Sequence, residues 1–323
     1  MKERMRINHE DTETQRVIPI TIMGKPPLHF SQCLYASVVM FLVLVLSARG
    51  NVSASDLIEK EIIYHIEKGD HGGIISGKFG LDWPRIAREN SLNPDAPLAV
   101  GQRLKVTFRR IVPEEIEDGI IINVSDRTLY RFESGKLRDY SFIAAGKPTW
   151  QTPLGEFVVT GKTKEPTWYV PQAIREEMED EGRDVLVEVP PGPDNPLGKY
   201  WISLSLKGIG LHATNAPQSI YKFRSHGCMR LRPEVAEALY RNVSVGTKGR
   251  IIYRPVKIFR ATGGTIYLEV YRDVYKKGVN YPEEVGKALQ ELHAEQDVDW
   301  DRIRKTIERK DGIVTDVSKR TSP

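Results

Sequence analysis

Between Gly119 and Tyr271, apolar residues recur in short runs, often at every second position, interrupted by glycine, proline and small polar residues. That rhythm is the one β-strands joined by tight turns require. Ile120-Ile121-Ile122-Asn123-Val124 is apolar almost throughout, as a strand in a buried sheet would be. Ser125-Asp126-Arg127 predicts a turn, Thr128 to Glu133 alternates, and Tyr140 to Ala145 resumes after a second turn at Ser134-Gly135-Lys136. Pro153-Leu154-Gly155 leads into another strand through Val159, and Tyr200 to Leu206 and Val243 to Tyr253 carry further strand-like runs. Arg254 to Tyr271 predicts two strands around a Gly263-Gly264 hairpin turn. Helical periodicity is confined to a few places. In Pro233 to Arg241, Pro233 suits the first turn and Glu234 the positive end of the helix. Pro282 to Ala294 and Asp299 to Arg309 read as amphipathic helices. The pattern therefore predicts a mainly β protein, a β-sandwich with a C-terminal extension of strands then helices over 257–323.

Upstream the rhythm changes. Residues 62–108 predict a small α+β unit: a short strand, glycine-rich turns, a helix over Asp82 to Glu89 with Asp82 as N-cap, and a closing strand after Gly101-Gln102. Ile111 to Ile116, with Pro113 and then Glu114 and Glu115, reads as a hinge between that unit and the β domain. Leu34 to Ala48 is the most apolar run of the chain. It is short for a bilayer span and is followed by Val52-Ser53-Ala54, a small-residue cleavage pattern. Residues 1–54 are therefore expected to be a signal peptide cut near Ala54, with an uncleaved signal anchor as the alternative. Cys33 precedes the apolar run, out of place for a lipid anchor.

Composition narrows the function. The 323 residues are 40% apolar and 28% charged, and the formal charge of +4 is slight. Nothing interleaves basic and aromatic residues as a nucleic-acid surface would, so no nucleic-acid partner is expected. A mildly basic surface suits an anionic polymer such as a cell wall. The acidic stretch Ile174 to Gly182 reads as a solvated face or as a lid over a cleft.

With the leader removed, Cys228 is the single remaining cysteine and cannot close an intramolecular disulfide. In an oxidising compartment a lone thiol points to function. A thiol is a strong nucleophile only as thiolate, which needs a base or positive potential nearby. Ser225, His226 and Gly227 stand directly before it, and the N–H groups of His226, Gly227 and Cys228 can form a donor cradle for a tetrahedral oxyanion. Two histidines compete for the role of base. His226 shares a face with Cys228 in an extended segment, while His212 sits at the end of a predicted strand from which the fold can return it to the thiol.

His212-Ala213-Thr214-Asn215 followed by Ser225-His226-Gly227-Cys228-Met229-Arg230-Leu231 resembles the signature of the L,D-transpeptidases, the YkuD-like domain family. The resemblance covers 117–256 and includes Thr152 to Phe157, which matches a Thr-Pro-x-Gly-x-Phe segment. It implies a β-sandwich catalytic domain in which His212 is the base for Cys228 and the Ala213 carbonyl orients the imidazole. Many relatives have glycine at the Ala213 position. Ser225, His226, Gly227 and Arg230 are expected to form the oxyanion and substrate-binding loop, with Trp168 lining the groove or wedged in the core. The implied reaction is acyl transfer: Cys228 attacks a peptidoglycan tetrapeptide stem, releases D-Ala, and passes the acyl group to an amine, giving a 3→3 cross-link or attaching a wall-anchored lipoprotein. The family uses no cofactor or metal, and its cysteine is a target of carbapenems.

Residues 62–108 resemble a LysM glycan-binding module through Tyr64 to Asp70, Ile86 to Asn90, Leu92-Asn93-Pro94 and Val100 to Val106. His71 stands where the family usually has threonine. Peptidoglycan glycan strands and stem peptides are the implied partners, and the periplasm or cell wall the implied location. The rival readings are an L,D-carboxypeptidase or cross-link hydrolase on the same scaffold, a noncatalytic wall-binding protein, and a zinc site built from His212, His226 and Cys228. The last lacks the short ligand spacings typical of zinc.

Overall fold

A computed structural model of the chain describes residues 56–320, which form one compact unit. The expected leader, residues 1–54, lies outside the described residues. The first part is built on a long antiparallel pair, β1 (Leu57–His65) and β2 (Arg103–Ile111), in register from Leu57 opposite Ile111 to His65 opposite Arg103. Between them stand two short helices, α1 (Gly72–Phe79) and α2 (Trp83–Glu89). The glycine-rich stretch expected as a turn opens α1 instead. His71 caps that helix, its Nδ1 accepting from Gly73 N–H at 3.2 Å, which is the task a threonine would perform there. Asp82 sits at the N-cap of α2 as expected, although its side chain makes no capping bond. Asn90 then ties α2 to β2, donating to the Ile86 and Lys105 carbonyls and accepting from Lys105 N–H.

The β domain follows with β3 (Gly119–Asn123), β4 (Thr128–Glu133), β5 (Lys136–Phe142), β6 (Ala145–Gly146) and β7 (Gly155–Lys164). A protruding subdomain comprises β8 (Trp168–Tyr169), α3 (Gln172–Asp180) and β9 (Glu188–Val189). The chain returns through β10 (Tyr200–Leu204), β11 (Gly210–His212), β12 (Phe223–Ser225), β13 (Met229–Arg230), α4 (Pro233–Asn242) and β14 (Lys248–Ile252). Eight strands make one sheet in the order β13-β11-β10-β7-β14-β3-β4-β5, with β3/β14 and β11/β13 parallel and the rest antiparallel. Side chains from opposite ends of this order, Ile120 and Leu129 with Leu211 and Met229, share one buried cluster. The sheet therefore curls over its own core, the sandwich that alternating short strands predict.

The extension contributes β15 (Val256–Arg260), β16 (Ile266–Val270), α5 (Tyr281–Glu291), α6 (Trp300–Arg309) and β17 (Thr315–Asp316), the last completing a three-stranded sheet against β16. Asp299 caps α6 by accepting from Asp301 and Arg302 N–H, and Asn280 caps α5.

The expected hinge at 111–116 is a correction. Ile111, Val112, Pro113 and Glu114 are buried, and Arg254 donates to the Pro113 carbonyl and pairs with Glu114. A proline and two acids mark a hinge only where solvent surrounds them; here the extension packs over the crossing. Beside it lies a charge cluster with no exposure at all. Lys257 bonds Asp126 at 2.6 Å and Glu269 at 2.9 Å, while the Arg110 guanidinium stands 3.2 Å from Glu269 and donates to the carbonyls of Asp126 and Gly80. Tyr130 and Tyr271 donate to Asp126 and Glu269; burial raises both phenols well above their ordinary value, so both remain neutral donors. Two cations and two carboxylates thus balance where the three parts of the chain meet. Around them an apolar cluster runs unbroken from Ile75, Leu104 and Phe108 to Tyr130, Phe142, Ile220 and Tyr221.

Candidate functional site

The hairpin of β10 and β11 and the parallel partner β13 position the candidate residues. Leu211 and Met229 face each other across β11/β13 and point into the core, and the next pair is His212 opposite Arg230. Hydrogen bonds on both sides hold β13 in place: Leu231 N–H to the His212 carbonyl at 2.7 Å, and a reciprocal pair between Arg230 and Ala144 at 3.0 Å. Cys228 immediately precedes β13, level with Gly210 and two residues along the strand from His212. Its partly buried Sγ stands 3.4 Å from the Gly208 carbonyl. Gly210 is required there because a Cβ would lie 2.5 Å from the Trp201 indole. Trp201, opposite His212 across β10/β11, stacks on its imidazole at 5.7 Å between centroids and 29° between planes.

His212 is buried, and its Nδ1 lies 2.5 Å from the Ala213 carbonyl. A carbonyl can only accept, so that nitrogen carries the proton and Nε2 keeps its lone pair. Burial, followed by the Arg230 charge, pushes the imidazole down to about 4, against a weaker opposite pull from the backbone of Ala213 and Leu197. Cys228 moves the other way. Burial pushes the thiol up, and a backbone hydrogen bond from Gly210 and the Arg230 guanidinium hold it back in part. At neutral pH the His212 imidazole is therefore uncharged.

The loop before the thiol is rigid by construction. Ser225 is buried; its hydroxyl accepts from Gly227 N–H at 3.3 Å and donates to the Cys228 carbonyl. Gly227 has φ of +110°, and a Cβ there would press within 3.2 Å of Ile209, so only glycine fits without strain. Thr152 donates its hydroxyl to the Gly227 carbonyl at 2.8 Å. The two histidines part company here. The His226 side chain turns outward, its Nε2 2.5 Å from Glu177 of α3 and its ring edge-on to Trp150, while Glu177 also holds Lys147. Lys147 and then His226 hold the Glu177 carboxyl below its usual range.

Trp168 pairs with Val189 across β8/β9 and is half-buried against the small cluster of Val170, Ile174, Met178 and Trp150. The acidic stretch is therefore a helix with one apolar edge, docked beside the Ser225-to-Cys228 loop through Glu177. A groove of about 1070 Å³ is lined by Ala213 and Thr214 together with Lys164, Lys199, and Glu234 and Glu237 of α4. Among the described residues no three His, Cys, Asp or Glu side chains gather as metal ligands would.

Trp201, Thr152, Glu177 and Lys147 were not singled out from the sequence. Trp201 lies eleven positions before His212, and only the β10/β11 register connects them. Thr152 lies within the Thr-Pro-x-Gly-x-Phe segment, so its position was marked although its partner was not. Nothing in an acidic run distinguishes Glu177 from its four acidic neighbours.

Residues 117–258 match the family model of the L,D-transpeptidase catalytic domain, and residues 64–107 match that of the LysM domain. The chain is 30% identical to the probable L,D-transpeptidase ErfK/SrfK of Salmonella typhimurium, over 68% of this chain and 73% of that one. It is 28% identical to the probable L,D-transpeptidase YcfS of Escherichia coli, over 85% of this chain and 90% of the relative. Among solved structures, the catalytic domain of the E. faecium L,D-transpeptidase aligns with 23% identity and a TM-score of 0.32, covering 42% of this chain and 98% of that domain.

Proposed function

The chain belongs to the L,D-transpeptidase family, and from that footing we propose that it is an exported peptidoglycan L,D-transpeptidase with Cys228 as nucleophile and His212 as base. The carrying observation is the buried, neutral His212, its Nδ1 committed to Ala213 and its strand paired in parallel with the segment that bears the thiol. Cys228 sulfur attacks the carbonyl between the third residue and the terminal D-Ala of a tetrapeptide stem, while the thiol proton passes to His212 Nε2. The Cys228 backbone N–H receives the oxyanion, the Gly227 N–H being held by the Ser225 hydroxyl, and loss of such a donor costs about 3 kcal/mol of transition-state stabilisation. Collapse breaks the C–N bond, and D-Ala leaves with the proton from His212. An acceptor amine then attacks the thioester, gives its proton to His212, and the thiol is restored.

In this reading residues 62–108 hold glycan strands, 117–256 carry out the chemistry, and the enzyme works in the periplasm or cell wall on stem peptides. A neighbouring stem amine is the primary acceptor and a wall-anchored lipoprotein the alternative one. Trp168 and α3 border the donor side of the cleft. The groove beside Ala213 and Thr214 has the volume for a peptide stem, and its mixed lining of Lys164, Lys199, Glu234 and Glu237 offers partners to both the carboxylates and the ammonium of one. Product analysis after incubation with disaccharide-tetrapeptide tests the reaction. Free D-Ala with 3→3 cross-linked dimers is expected, and none from Cys228→Ala. D-Ala release without dimers would assign the chain to hydrolysis instead.

A further inference from the structure

Tyr275 belongs to the C-terminal extension, yet it is buried within the core of the catalytic sheet. Its ring stacks on Tyr253 at 5.4 Å and meets Phe223 edge-on at 5.6 Å. Its backbone is held as well: Tyr275 N–H donates to the Tyr253 hydroxyl at 3.0 Å, and its carbonyl accepts from Gln151 at 3.1 Å. The loop behind it is tied by Asp273, which accepts from the Tyr253 hydroxyl and from the N–H groups of Lys277 and Gly278. A side chain fixed at so many points has little freedom in where it presents its hydroxyl.

That hydroxyl closes a ring of hydrogen bonds under the nucleophile. It donates to the Gly146 carbonyl at 2.8 Å and accepts from Thr152 N–H at 3.1 Å. Thr152 Oγ1 accepts from Gly146 N–H at 2.9 Å and so must point its own proton at the Gly227 carbonyl, 2.8 Å away. The consequence follows from peptide geometry. The unit joining Gly227 to Cys228 is planar and trans, so its C=O and N–H point in opposite directions. Pinning the Gly227 carbonyl towards Thr152 turns the Cys228 N–H the other way, away from Thr152.

We propose that Tyr275 is a positioning residue for the oxyanion donor at Cys228, which makes the C-terminal extension part of the catalytic apparatus. This rests on the reading of Cys228 as the nucleophile, and the test separates the two. Two reagents divide the chemistry. Iodoacetamide alkylates sulfur by displacing iodide and creates no oxyanion. A carbapenem is attacked at its ring carbonyl: the S–C bond forms, the ring C–N bond breaks, and the ring nitrogen takes the proton that left the sulfur, by way of a tetrahedral oxyanion.

Both rates are measured on the full chain and on Tyr275→Phe, which keeps the ring and removes only the hydroxyl. Carbapenem acylation is expected to fall by about tenfold or more, less than for outright loss of a donor, with alkylation unchanged. Thr152→Val should reproduce that split and Thr152→Ser should restore acylation; the threonine pair also serves if Tyr275→Phe does not fold. Acylation at the wild-type rate in the variants overturns the proposal, and so does an equal fall in both rates, which would mark a merely structural role. Persistent acylation of Cys228→Ala would instead remove the nucleophile reading beneath it.

Discussion

Arg230 acts on both members of the proposed pair. Its guanidinium favours thiolate at Cys228 and disfavours imidazolium at His212. A positive charge so placed keeps the base unprotonated into acid and eases departure of the thiol proton, but it opposes a preformed thiolate–imidazolium pair. The sign for activity follows. His212 must be neutral to accept a proton, so the acid limb of kcat/KM should lie near its depressed value of about 4. In Arg230→Gln the imidazolium is less disfavoured, and the limb should move up towards the ordinary histidine range of about 6.5. A pH–rate profile reads this directly; an unmoved limb would mean that Arg230 serves only the substrate. At this scale the sequence was informative where chemistry is local. Cys228, Gly227 and Ser225 stand together in one turn, and the structure gives each a role in its geometry. Glu177 and Tyr275 were not legible, because their effect depends on partners 49 and 123 positions away, the His226 side chain and the Thr152 backbone N–H.

Among the elements, the junction of β2, the turn after β3, and β15 with β16 holds two buried cations against two buried carboxylates. Lys257, Asp126, Arg110 and Glu269 are each fully buried, so removing one leaves an opposite charge without water or partner. Breaking a buried pair in this way typically costs about 3–5 kcal/mol. Lys257→Met should lower the unfolding free energy by that amount in chemical denaturation. Combining it with Glu269→Gln should cost less than the sum of the two single changes, since the double variant restores neutrality. Additive losses would show that the four side chains do not act as one network. Strand and helix positions were largely readable from periodicity, including α5, α6 and the hairpin of β15 and β16. The buried crossing at 111–114 was not, for what decides between hinge and core is whether a distant part of the chain covers it. The missed helix α1 has a similar cause: its leading Gly72 is demanded by Trp83, against which a Cβ would lie 2.4 Å away.

Across the whole molecule, the glycan-binding candidate, the catalytic sheet and the extension are welded rather than tethered. The shared apolar cluster and the neutral charge network fix the first part to the second, while Tyr275 brings the third under the reactive loop. A module fixed in this way sets the thiol at a constant offset from whatever glycan strand the first part holds. Helix α1 also packs against Ile220, in the loop that joins His212 to Cys228, so the two sites share a support. None of this rigidity was apparent in the sequence, whose composition at the module boundaries resembles that of ordinary linkers. In the proposed function all of it serves one event, the transfer of an acyl group to the Cys228 sulfur. Intact-protein mass spectrometry of the purified chain incubated with disaccharide-tetrapeptide, followed by peptide mapping, measures that event most directly. The account predicts an added mass equal to the donor less D-Ala, on Cys228, that hydroxylamine removes and that His212→Asn forms far more slowly. An unmodified Cys228 in protein that releases D-Ala, or the same adduct at the same rate without His212, would contradict it.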